Sequence, residues 1–122
     1  MSAKLRSNIE SFFIDTLGYK KFGEKPDYPA VFVGDGVTLI TLWQTKALEQ
    51  SIPFDRENNI GLHHLALRVA EGVSLDQVYA KLLRHPEVAI EFAPEALNGG
   101  PTQHLMCKIP GGIRVEFIAP VN

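Results

Sequence analysis

A chain of 122 residues, 45% of them apolar, is long enough to bury one hydrophobic core and has the usual size of one domain. Twelve basic and 14 acidic residues leave a formal charge of −2 with no basic stripe for nucleic acid and no polybasic segment for a membrane surface. No apolar run reaches the roughly 18 residues of a membrane helix, no signal-peptide core follows Met1, and the single cysteine, Cys107, excludes an intrachain disulfide and a cysteine-rich zinc site. The expectation is one soluble cytoplasmic domain with neither nucleic acid nor membrane as a partner.

Ser7-Asn8-Ile9-Glu10 has the form of a capping box. Ile9, Phe12, Phe13 and Leu17 follow at helical spacing, and Gly18 stands where a left-handed residue ends a helix, so the spacing predicts a helix over 7–17. Short apolar stretches around 19–23, 28–33 and 37–43 predict a three-stranded meander, its last two strands joined by Gly34-Asp35-Gly36. Residues 45–59, with Pro53 and several charges, lack periodicity and read as a linker.

Beyond it, 62–69 reads as a strand. Ser74-Leu75-Asp76-Gln77 is a second capping box, opening a helix with Leu75, Val78, Tyr79, Leu82 and Leu83 on one face. His85-Pro86 ends that helix, because the residue before a proline is pushed out of the helical region. Strands around 88–92, 102–108 and 113–119 follow, the last two joined at Gly111-Gly112. The second half is thus strand, helix and three strands. The first half repeats this from its helix onward, with only six residues ahead of Ser7, so the repeat predicts a first strand that is missing or shortened.

Strand alternation places the polar candidates. His64, Ala66 and Arg68 share one face of 62–69, while His63, Leu65, Leu67 and Val69 share the other, apolar face that helices should cover. Arg114 and Glu116 oppose Val115 and Phe117, and His104 and Met106 oppose Leu105 and Cys107. His64, His104, Arg114 and Glu116 therefore point away from the helix-covered face, whereas Cys107 should be an inert buried thiol. A polar group in a half-buried strand must find a partner or cost free energy. His64 can be satisfied as an ordinary strand histidine, and Glu116 by Arg114, Arg68 or Lys108. His63 reads as structural.

The chain resembles the vicinal oxygen chelate superfamily of glyoxalases, bleomycin-resistance proteins and extradiol dioxygenases. The resemblance runs from residue 7 to 119 and is carried by Phe12-Phe13-Ile14-Asp15-Thr16-Leu17-Gly18-Tyr19, by His63-His64-Leu65-Ala66-Leu67 and by Pro110-Gly111-Gly112-Ile113-Arg114-Val115-Glu116-Phe117. It implies an α+β fold of paired βαβββ modules forming a curved mixed sheet around a cleft, in one domain with modules about 1–44 and 62–122 and a linker between. His64 and Glu116 match the family's second-module metal ligands. The first-module histidine falls on the missing strand, and where the first-module carboxylate belongs this chain has Ile40 and Thr41. A divalent metal ion (Zn, Ni, Fe or Mn) would find only a half-site, to which His104 would add a third donor in the two-histidine, one-carboxylate manner of non-haem iron.

Two functional readings follow from the resemblance. The first is a glyoxalase-like metal-dependent lyase, isomerase or dioxygenase acting on a small oxygenated substrate, with Glu116 doubling as base. The second is a metal-free module that binds or sequesters a small molecule. In either, Thr41, Trp43, His104, Met106 and Arg114 are the expected ligand-binding residues. A third expectation is a homodimer, obligatory if a partner chain supplies the missing strand.

Overall fold

Ser74 opens the better capped of two helices in the computed structural model, which describes residues 3–27 and 29–120. The chain falls into two units, Met1–Pro53 and Phe54–Asn122. Ser74 is extended, its hydroxyl accepts from the Gln77 N–H at 3.1 Å, and the Gln77 side-chain oxygen accepts from the Ser74 N–H at 2.9 Å. This reciprocal pair satisfies two backbone donors that the first turn would otherwise leave open. The helix, α2, runs Leu75–Arg84 with Asp76 in its first turn and Lys81 and Arg84 in its last, matching the helix dipole at both ends. Leu75 and Leu82 are buried, and Leu83, expected with them, is exposed. It stands about 80° round the helix from Leu75, off the packed stripe. His85 is extended, as Pro86 requires.

Around α2 the second unit forms a four-stranded sheet. Its strands are β4 (Leu65–Arg68), β5 (Ala89–Ala96), β6 (Gln103–Lys108) and β7 (Arg114–Ala119), in the order β4-β7-β6-β5. β4 lies parallel to β7, and β5, β6 and β7 form an antiparallel meander. Leu105, Cys107, Val115 and Phe117 make the buried apolar face, and α2 lies against β5, β6 and β7. Gly111 and Gly112, both at positive φ, make the β6–β7 turn. β5 extends past the expected end at 92 to Ala96, because Pro94 falls in one of two register breaks, where a missing N–H does no harm.

In the first unit the helix, α1 (Ala3–Ser11), begins before Ser7. Lys4, Leu5 and Arg6 are good helix formers, and the Glu10 carboxylate is taken by Lys21 at 3.1 Å, so the expected capping box does not form. The helix continues as a π-turn, Phe12–Thr16, in which the Leu17 N–H reaches back to the Phe12 carbonyl. Ile9, Phe12 and Phe13 are buried there, with the Phe12 and Phe13 rings edge to face at 5.7 Å. Gly18, at φ +76°, ends the helix as the sequence predicts.

The strands β1 (Lys20–Lys25), β2 (Ala30–Gly34) and β3 (Leu39–Trp43) form the meander, ordered β1-β2-β3. Asp35 holds the β2–β3 turn, its carboxylate accepting from the Val37 and Thr38 N–H groups at 2.9 and 2.7 Å. Among the described residues no strand precedes α1, so β3 is an edge where β7, its counterpart, has β4 beside it. Among the described residues the fold is the expected α+β arrangement, two helices and two sheets. No helix among the described residues is long and apolar enough to cross a membrane.

Two measurements check these local assignments. Ser74→Ala should cost about 1 kcal/mol in urea denaturation, whereas Ser7→Ala, inside α1, should change stability by less than about 0.5 kcal/mol. Backbone N–H bonds, that of Thr38 first, hold the Asp35 carboxyl below its ordinary value of 3.8. Its contribution is complete above that value and disappears as pH falls through the lower folded one. Asp35→Ser, which accepts hydrogen bonds but does not titrate, should therefore lose stability less steeply in acid; identical profiles would show that the turn does not depend on this charge.

Candidate functional site

Glu116 sits in mid-strand on β7, with Ala66 of β4 opposite on one side and Met106 of β6 opposite on the other. Two residues back along each neighbour come His64 and His104, close enough on the diagonal for long side chains to meet Glu116. They do: His64 Nε2 lies 3.1 Å from Glu116 Oε1, and His104 Nδ1 lies 2.6 Å from Oε2. Glu116 and His104 are buried, at 8% and 9% exposure, and the His64 side chain is 31% exposed. Met106 is buried beside them. The His104 ring packs on Phe92 at 4.9 Å, and its Nε2 is 3.7 Å from Glu95 Oε1, across the β5–β6 pair.

The polar network continues outward from His64. His63 Nδ1 is 2.8 Å from His64 Nδ1, and Arg114 Nη1 lies 3.1 and 3.4 Å from the two His63 ring nitrogens. Arg114 grips Glu91 in a bidentate pair, both bonds 2.8 Å, and Arg56 Nη1 reaches the same carboxylate at 3.3 Å. The Arg114 hydrogen bond, first among several causes, holds the Glu91 carboxyl below its ordinary value. Desolvation, then the charges of Arg114, His64 and Arg56, pull the His63 imidazole down.

Which ring nitrogen donates in each contact follows from what it faces, since a carboxylate only accepts and a guanidinium only donates. Glu116 accepts from both neighbours, from His64 Nε2–H at Oε1 and from His104 Nδ1–H at Oε2, and His63 Nδ1 accepts from Arg114 Nη1. No buried side-chain polar atom among the described residues lacks a partner.

Two expectations need correction. His63 was placed on the helix-covered face, but β4 begins only at Leu65, so strand alternation does not extend to His63, which is exposed and joins the polar network. Arg114 was one of the partners expected for Glu116; it pairs instead with Glu91, which the sequence analysis missed. Glu91 is the extra residue at the Ile90/Phe92 register break, and a bulge leaves no periodic signal to find it by.

Thr41 and Trp43 lie on β3 in the first unit, on the face opposite the buried Leu42, with Trp43 43% exposed. Cys107 is buried, and burial pushes its thiol pKa up to about 12, so it is no nucleophile. A surface cavity of about 250 Å³ lies elsewhere in this unit, lined by Arg68, Val69, Gly72, Val73, Ala119 and Pro120.

The donor set bears on the metal expectation. His64 Nε2 and Glu116 Oε1, 3.1 Å apart, have the spacing of two neighbouring ligands each about 2.1 Å from one ion. His104 is turned onto the other carboxylate oxygen. Among the described residues no group of three or more His, Cys, Asp or Glu is arranged to hold a metal ion. Two donors fall short of the three or four protein ligands of a well-held divalent site, so no chemical step is routed through a metal.

No protein-family model and no curated protein matches the sequence. Solved structures do match in fold. A glyoxalase-like protein from Bacillus halodurans aligns over 98% of this chain and 88% of its own, with 24% identity and a TM-score of 0.72. Lactoylglutathione lyase from Agrobacterium tumefaciens aligns over 98% and 88%, with 19% identity and a TM-score of 0.66. A member of the glyoxalase/bleomycin resistance protein/dioxygenase superfamily from Sphaerobacter thermophilus aligns over 98% and 90%, with 17% identity and a TM-score of 0.67. The order of elements, the β4-β7-β6-β5 sheet and these neighbours together identify the fold of the chain as that of the glyoxalase/bleomycin resistance protein/dioxygenase superfamily.

Proposed function

We propose that the chain is a glyoxalase-like enzyme that moves a proton on a small oxygenated substrate, in the manner of a lyase or isomerase. The observation that supports this is the seating of Glu116 between His64 and His104, partly buried, with both oxygens engaged by imidazoles. Glu116 is the base that takes a proton from a carbon next to a carbonyl. His104 is a positioning residue that keeps the carboxylate turned toward His64. Glu116, once it carries the proton, returns it to the neighbouring carbon, and His64, the most exposed of the three, meets substrate. Partial burial strengthens each of these interactions relative to water. His64 and Glu116 would be the donors for a divalent ion, but as two ligands they hold one weakly.

The test follows deuterium from solvent into small 2-hydroxy ketones and 2-oxo acids by NMR. The protein should accelerate incorporation at the carbon next to the carbonyl, and Glu116→Gln should slow it by about 100-fold or more. Equal rates for the two proteins, or no protein-dependent incorporation, would overturn the enzyme reading. Saturable binding of these compounds without incorporation would leave the metal-free binding module in its place.

Metal dependence has its own readout. Zinc, nickel, manganese or ferrous iron, added to chelator-treated protein, should leave the melting temperature unchanged, because stabilisation needs ligand well above its dissociation constant. A rise abolished by His64→Ala would show instead that the half-site is completed.

A further inference from the structure

The polar network beyond His64 contains more cationic donors than its one carboxylate uses. Glu91 accepts from Arg114 Nε and Nη2 and from Arg56 Nη1, which occupies three of about four lone-pair positions. Among the described contacts Arg56 spends a single N–H of its five on Glu91. Lys108 stands opposite Arg114 across the β6–β7 pair, adding a third cation close to Glu91. The nearby Asp55 adds a negative charge close to Arg56, but its oxygens accept hydrogen bonds within its own turn, from the Glu57 N–H at 2.9 Å and the Asn58 amide at 2.7 Å.

That turn gives Arg56 a fixed base. The Asn58 and Asn59 N–H groups also close onto the Asp55 carbonyl, so the residue leaves an ordered loop in the stretch expected to be a plain linker. Its side chain is 37% exposed, against 12% for Arg114. Arg114 is thus the buried anchor and Arg56 the open arm. Arg114 also lies against His63, whose neighbour His64 touches Glu116.

We infer that Arg56, set beside the Arg114–Glu91 pair, binds a carboxylate group of a small anionic ligand beside the His64–Glu116 centre. The guanidinium fork suits a planar carboxylate, and Glu91 shows the pairing geometry in place. The inference rests on the proposed function for the identity of the neighbouring reaction centre. It narrows the substrate class to oxygenated compounds carrying a carboxylate, and it gives Arg56 a specificity role distinct from proton transfer.

Malonate at low ionic strength is the probe, with malonamide as its neutral counterpart and inorganic phosphate as the competing anion. Followed by nitrogen-15 NMR, malonate should shift the Arg56 and Arg114 Nε–H signals and the His63 ring saturably. Binding should weaken about tenfold in Arg56→Gln, less in Arg56→Lys, and should fall with added salt. Glu116→Gln should leave these shifts intact even where deuterium incorporation is lost, which separates this inference from the proposed reaction. Unchanged affinity in a folded Arg56→Gln protein, or equal shifts with malonamide, would overturn it. Tighter binding of phosphate than of malonate would overturn the carboxylate assignment.

Discussion

The second unit depends on a carboxylate held in mid-sheet. Glu116, on β7 between β4 and β6, is 8% exposed, and an unpaired charge at such a place costs several kcal/mol. The fold answers from both sides, with His64 on one oxygen and His104 on the other. Because each histidine comes from a different neighbouring strand, the pairing requires the parallel β4–β7 and antiparallel β6–β7 registers together. A one-residue slip of either strand would turn its histidine to the opposite face and leave Glu116 short of a partner. The polar centre and the sheet register therefore support each other.

From that centre the charges are graded outward. Glu116 and His104 are buried, His64 is partly open, His63 is exposed, and Arg114, itself little exposed, is neutralised by Glu91. The bulge on β5 matters here, since it brings Glu91 under the guanidinium of Arg114. Without that counter-charge Arg114 would be free to turn toward Glu116, two residues along its own strand. Glu91 thus keeps the two histidines as the partners of Glu116, and it draws Arg56 into the same cluster.

Much of the fold was legible because it is written in local rules. The Ser74–Gln77 box, the stop at His85-Pro86, the positive-φ glycines at 18, 36, 111 and 112, and strand alternation at His104, Met106 and Glu116 all involve residues within a few positions of one another. The failures came where a distant residue competed. Ser7 and Glu10 fit a capping box as well as Ser74 and Gln77 do, but Lys21, eleven positions away, takes the Glu10 carboxylate. Leu83 was misplaced because it stands about 80° round α2 from Leu75, off the packed stripe, and His63 because β4 begins only at Leu65, later than its pattern implied.

The sequence by itself determined the repeated order of elements from α1 onward and the side of the second sheet on which His64, His104 and Glu116 lie, since periodicity and turn chemistry act over short distances. Only the tertiary structure decided which groups touch. It joined Glu116 to both histidines, gave Arg114 to Glu91, brought Arg56 out of an apparent linker and left His64 and Glu116 as two donors. Those outcomes depend on register, on one bulge and on competition among several charges for one carboxylate, and such competition is settled by distances that a linear pattern does not contain.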